Sequence, residues 1–446
     1  MWSVVLLVAS IALIVFLTTQ LRLHPFAALV LAAFFYGTLA GMPPTQIITA
    51  INDGFGDTIG SIGIVIIAGT VIGVFLHHSG AAQVLASRFV SIAGPKRVPI
   101  AMGAVGYVVS MPVFCDSGFV LLSPINRALA ARAGVSLAAC AVALSLGLYA
   151  THTMVPPTPG PVAAAGIIGA DLGIVIGVGA LVSIVAFSAG LYFAYRYASR
   201  IDLESQYSDT GDAADSIEHG SGPSTLDAAL PVTIPMLLIV GRTVAELPSQ
   251  PLGTGTVAGL LSFLGQPAIA LCIGVVAALR LPAKLSRQML SGAGWFGEAI
   301  KAAAVIIVIT GAGGAFGNVL QTSGIAQGVN TAMLNGWAGI LLPFVIAAAI
   351  KTAQGSSTVA MITTAGIVAP LLGSLGLDGE IAKALVVVAI GAGSMVVSHA
   401  NDSYFWVVTQ FSGMSVNQGY RLQTMGSLIQ GVTAATAIWL LSLVAI

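Results

Sequence analysis

Charge is the scarcest property of this chain. Only 7% of its 446 residues are Asp, Glu, Lys or Arg, sixteen of each sign, and the formal net charge is zero. So few charged side chains exclude a water-soluble globular domain, and the lack of a basic excess argues against a nucleic-acid partner. Cysteine is almost as rare. Cys115, Cys140 and Cys272 stand alone in apolar surroundings, without disulfide pairing or metal-ligand spacing, and Cys140 and Cys272 read as packing. The chain has no G-x-S-x-G, no H-E-x-x-H and no G-x-x-x-x-G-K-[ST], which argues against an intramembrane hydrolase and against ATP-driven pumping by this chain alone. No cofactor motif is present. The first twenty residues, MWSVVLLVASIALIVFLTTQ, lack the basic start and small-residue cleavage site of a signal peptide and run on into a second apolar stretch, so an uncleaved first span is expected.

What the chain has in abundance is apolar and small residues. Hydrophobic residues make up 57%, the mean hydropathy is +0.98 and there are 53 glycines, as in membrane bundles whose small residues let helices approach or break. A spanning helix needs about 20 apolar residues. Spans are expected near 3–19, 23–41, 58–77, 136–171 and 173–198, then near 229–247, 255–279, 299–320, 383–412 and 425–446, ten crossings in all. Segments 97–132 and 337–376 carry polar interruptions and read as hairpins that enter the membrane and turn back, because non-helical backbone at depth survives only inside protein or against a wet cavity. With the N-terminus outside, nearly all the loop Lys and Arg residues fall on the cytoplasmic side, Lys383 being the exception. Both termini are then periplasmic. Residues 201–228 hold seven of the sixteen acids and neither Lys nor Arg, and form an acidic, solvated linker.

The two sets of spans are related. AGTVIGVFLHHSGAAQ (68–83) matches AGGAFGNVLQTSGIAQ (312–327) at eight of sixteen positions, offset by 244. Five crossings separate the copies, and an odd number turns the second copy over. The expected fold is therefore an all-α polytopic membrane protein with two inverted repeats of about five helices, 1–200 and 229–446, each with a re-entrant hairpin (97–132, 337–376) and a broken helix (136–171, 383–412), as in secondary transporters.

Substrate and ion sites of such transporters lie at the broken helices. Four interruptions qualify: VFCDSG (113–118), THTMVPPTPGP (151–161), QGSST (354–358) and SHANDSYFW (398–406). Each sets polar groups beside an expected helix N-terminus, which favours anions. Asp116 and Asp402 are intramembrane carboxylates, costing about 2.5–3.5 kcal/mol each on insertion scales, and such groups mark ion or substrate paths. The alternative role for both is a helix cap. His152 and His399 lie within broken helices and titrate near physiological pH. Together these four are the coupling-ion candidates, against a plain hydrogen-bonding role for the histidines. Ser117, Thr158, Ser356, Ser357, Thr358, Asn401 and Ser403 are the polar candidates for substrate binding. Lys351 either counters a carboxylate or snorkels along its hairpin arm, and Arg242 is expected to snorkel. For Phe114, Phe119, Tyr404, Phe405 and Trp406, packing and shielding of a site are both open.

PVFCDSGFVLLSP, HTMVPPTPGP, AQGSSTVAMITTAGIVAPL and SHANDSYFW resemble the four signature regions of the gluconate permease (gluconate:proton symporter) family, within the ion transporter superfamily, over essentially the whole chain. The resemblance implies a bacterial inner-membrane symporter for gluconate, a related sugar acid, another small hydroxy acid or D-serine, with elevator-like motion and a homodimer. Two positions depart from the pattern: Thr158 stands where many members have His, and Tyr404 where many have Gly. A pocket narrowed by Tyr404 suits a smaller hydroxy acid. Proton-coupled uptake of a small hydroxy-carboxylate is the expectation. Sodium coupling through oxygens at QGSST and the NDS break is the nearest alternative, and a channel the next.

Overall fold

The computed structural model describes residues 2–81, 83–85, 88, 97–111, 113–201, 203, 223–246, 252–253, 255–324, 339–399 and 402–446. The acidic segment 204–222, and Asn401 among the site candidates, lie outside the described residues. Among the described residues, ordered backbone is helical and no strand occurs.

Proline and glycine punctuate this apolar chain. Helices α1 (Trp2–Thr19), α2 (Pro25–Leu39), α3 (Pro44–His78), α4 (Val98–Val109) and α5 (Cys115–Ala133) are followed by α6 (Leu137–Met154), α7 (Pro159–Ile168) and α8 (Leu172–Arg196). After the linker come α9 (Thr225–Ala245), α10 (Thr256–Leu264), α11 (Pro267–Ala278), α12 (Trp295–Thr322), α13 (Leu341–Gln354), α14 (Ser357–Val368), α15 (Glu380–Met395), α16 (Ser403–Ser412) and α17 (Met425–Ala445). Pro25, Pro44, Pro159 and Pro267 each sit at a first helical position, where the missing N–H costs nothing.

Five helices are long and apolar enough to cross a membrane among the described residues, or seven if each bent pair counts as one span. The remaining expected crossings fall on shorter apolar helices such as Pro25–Leu39. Two segments differ from the simple spans expected. Segment 255–279 is two helices, α10 and α11, bent by 74° at a short break. The span near 58–77 is the second part of the much longer α3. Cys140 is buried, but Cys272 is exposed, so packing accounts for the first cysteine only.

The helix ends recur with the offset of the sequence match. Both α3 and α12 stop at equivalent positions within the matched stretch, His78 and Thr322, with Gly80 and Gly324 then in the left-handed region at φ 77 and 74. Both α7 and α16 have ten residues, and each closes on a left-handed glycine, Gly169 or Gly413. Packing recurs as well: α4 lies on α6 as α13 lies on α15, α6 on α8 as α15 on α17, and α3 and α12 pack on each other.

In the centre, α6 and α15 cross each other and are buried along almost their full lengths. Glycine makes this crossing close, since a Cβ on Gly391 of α15 would meet the Thr153 carbonyl oxygen of α6; Gly179 of α8 packs as closely on the same end of α6, where its Cβ would meet the Met154 carbonyl oxygen. Both central helices end in a break. The first, 155–158, is proline-rich, and Pro156 and Pro157 are joined by a cis peptide bond. The second, 396–402, is followed by α16.

Candidate substrate site

Three helix beginnings converge around one lysine. Lys351 lies in the last turn of α13, which Gly355 ends by taking φ 89, a conformation open to glycine. The chain restarts at once as α14, capped by the Ser356 hydroxyl, which accepts from the Val359 N–H at 3.4 Å. This tight reversal leaves Lys351 fully buried, and its ammonium donates to the Gly355 carbonyl oxygen.

The lysine's main partner comes from the second break. Lys351 Nζ lies 2.7 Å from Asp402 Oδ2, with the two side chains 0% and 5% exposed. Asp402 caps α16 through Oδ1, which accepts from the Tyr404 N–H at 3.0 Å, while the Ser398 hydroxyl donates to Oδ2 at 2.5 Å. Asp402 is thus both cap and counter-ion. A buried pair is tolerated when further hydrogen bonds support both charges, as Gly355 does for Lys351 and Ser398 and the Tyr404 N–H do for Asp402. Of the two roles open to Lys351, the structure excludes snorkelling.

Asp116 approaches from the first turn of α5 and lies beside Asp402, Lys351 and Ser403. Phe114, not Asp116, holds the N-cap position, with no side-chain cap bond. Asp116 Oδ1 is buried and has no hydrogen-bond partner among the described residues. His152, on the last turn of α6, is 6% exposed with Nδ1 likewise unpartnered, its ring 5.8 Å from that of Phe114. His152 also stands within electrostatic reach of Lys351 and Asp402.

Other candidates separate into those at the cluster and those beside it. Ser357 meets the Tyr149 hydroxyl at 2.8 Å. Ser117 and Ser403 are exposed, Ser356 and Thr358 half-buried. Thr158 is buried and donates to the Val155 carbonyl at 2.9 Å, inside its own break. His399 faces the Thr352 carbonyl at 2.9 Å, tying the second break to α13. Tyr404 is a wall: it is 2% exposed, donates to the Ser145 carbonyl at 2.8 Å, and packs against the rings of Tyr149 and Phe119. Arg242 pairs with Glu246 at 2.9 Å.

Tyr149 and Ser398 are the residues sequence reading missed. The Lys351 ammonium stands 5.9 Å from the centre of the Tyr149 ring, a cation–π distance. Tyr149 lies one turn before His152, a spacing that puts both on one helix face and was the available signal. Ser398 had none, since its bonds to Asp402, Thr424 and Ser427 depend on how α17 returns past the break.

The family profile described as GntP family permease matches residues 2–444. The chain belongs to the GntP family of permeases. A gluconate permease of Pseudomonas aeruginosa is 35% identical over 455 residues, covering 98% of this chain and 97% of the relative. The D-serine transporter DsdX of Escherichia coli is 32% identical, covering 99% of each. The crystal structure of the YdaH transporter of Alcanivorax borkumensis superposes with a TM-score of 0.66 over 94% of this chain and 98% of that one, at 15% identity; at that identity it shows the fold. The permease is a multi-pass membrane transporter and not an enzyme.

Proposed function

We propose that the permease is a secondary carrier that couples inward movement of a small hydroxy-carboxylate, gluconate or a related sugar acid, to protons. The observation that carries this reading is the Lys351–Asp402 pair, buried where the first turns of α14 and α16 meet Asp116 at the start of α5. A carboxylate arriving there finds a desolvated cation and the N–H groups of helix beginnings. Hydroxyls of Ser357, Thr358 and Tyr149 stand ready for the hydroxyl groups of a substrate. Asp116, His152, His399 and Asp402 are the groups able to carry a proton.

Helix ends repeating at an offset of 244, with an odd number of expected crossings between the copies, support inverted halves, 1–200 and 229–446, around this site. Family membership supports elevator-like motion, a homodimer and a bacterial inner-membrane location, and the Lys/Arg distribution supports periplasmic termini.

D-serine is the second reading. A relative bears that name, and the unpartnered oxygen of Asp116 is an acceptor suited to a substrate ammonium.

Counterflow of radiolabelled gluconate into proteoliposomes, challenged with glycerate, 3-hydroxybutyrate, other aldonates and D-serine, tests the substrate class. Accumulation against internal unlabelled gluconate is the expected result, and displacement by D-serine alone would favour the second reading. A strict Na⁺ requirement at fixed pH would overturn proton coupling.

A further inference from the structure

Resting on that reading, we propose that the substrate carboxylate and the Asp402 carboxylate are alternative partners for the Lys351 ammonium, and that Asp402 takes up the coupled proton when substrate displaces it. Asp402 Oδ2 and Lys351 Nζ are 2.7 Å apart in a nearly solvent-free contact. The ammonium has three protons to donate, and one already goes to the Gly355 carbonyl. Of the two partners, Asp402 is the charged one, so its contact is the one a substrate carboxylate replaces like for like. A carboxylate deprived of its cation in that place is strongly disfavoured, so exchange brings in a proton from bulk water: the lysine–aspartate ion pair, the substrate anion and H⁺ become a lysine–substrate ion pair and a neutral aspartic acid.

The surroundings accommodate both states. Ser398 donates to Oδ2 in the ion pair, and its hydroxyl can turn to accept from a protonated Asp402, because a hydroxyl serves either way. The Tyr404 N–H holds Oδ1 throughout. The titratable groups around Asp402 are Lys351 on α13, Cys115 and Asp116 on α5, Tyr149 and His152 on α6, and Tyr404 on its own helix. Of these, Asp116 is the rival proton carrier. Its Oδ1 has no donor among the described residues whether or not substrate is bound to Lys351, whereas Asp402, in direct ion-pair contact, is the carboxylate that loses its cation when substrate arrives.

Calorimetric titration of the purified permease with gluconate, in buffers of different ionisation enthalpy, counts the protons taken up on binding. The wild type should take up about one, and its affinity should weaken about tenfold for each pH unit of rise while Asp402 is ionised in the empty site. D402N, which removes the competitor, should bind more tightly than wild type, with no proton uptake and no pH dependence, and should lose accumulation driven by a proton gradient. D116N should keep the proton. The proposal is overturned if D402N still takes up a proton, if it binds more weakly than wild type, or if D116N alone abolishes uptake of the proton. Should D402N not fold, the neutral pair K351Q/D402N strands no buried charge; it should fold and show no heat of gluconate binding, and binding retained by it would overturn the proposal. A wild type that moves no hydroxy-carboxylate in counterflow would instead overturn the functional reading itself, and the inference with it.

Discussion

The two broken spans follow the same backbone plan and differ in what closes it. In each, a central helix stops, a short break follows, and a ten-residue helix runs to a left-handed glycine. At the first break the closure is covalent: Pro156, Pro157, Pro159 and Pro161 fix the backbone, and the hydroxyl of the cap residue Thr158 donates within the break, to Val155. The second break has no proline between Val396 and Trp406. It is held by hydrogen bonds from neighbouring helices and by the Asp402–Lys351 pair. A proline-fixed turn offers a ligand nothing to compete with, whereas an ion pair does. In the proposed mechanism the repeated backbone is scaffold, and the non-repeated charge places the proton exchange at the second break.

The largest way to break this comparison is to strip the second break of its cation. Lys351→Ala leaves Asp402 buried alone and should cost about 3–5 kcal/mol, seen as loss of the monodisperse peak in detergent size-exclusion chromatography. Ser398→Ala removes a charge-assisted bond to Asp402 and should cost about 1.5–3 kcal/mol, read as a lowered thermal midpoint together with altered proton uptake on binding. Gly391→Ala attacks the crossing that positions both breaks, and forcing a methyl against the Thr153 carbonyl should cost about 1–3 kcal/mol, measured by thermal unfolding of the detergent-solubilised protein. The smallest effect belongs to the first break: Thr158→Ala removes one neutral bond in a proline-fixed turn, should cost about 1 kcal/mol, and should leave the number of protons bound with gluconate unchanged in calorimetry.

Much of the site could be read from the chain because it rests on local chemistry. Prolines at 156–161 stop a helix whatever surrounds them, and an Asp within an apolar run has few roles besides function or capping. Asp402 proved to be a cap, a role set by its neighbours in sequence, as well as a counter-ion. What sequence left open at Lys351 was the choice between a counter-charge and a snorkelling side chain, because both begin from the same position near the end of a hairpin arm. Tyr149 was hidden by its ordinariness, as one aromatic in a helix buried all round. The 74° bend between α10 and α11 was also missed, since apolar composition continues through Gly265 and does not register a change of direction.

By itself the sequence determined that this is a membrane protein and where its helices are interrupted, and it supplied the offset match on which the proposed repeat of the halves rests, because hydropathy, proline geometry and offset matching all act along the chain. Only the tertiary structure decided that Lys351 meets Asp402, that Ser398 joins them, and that Asp116 and His152 keep buried atoms without partners among the described residues. Those facts follow from where remote helices end in three dimensions, and from the cost of an unpaired charge in an apolar interior, which makes the partner of each buried group a property of the whole fold.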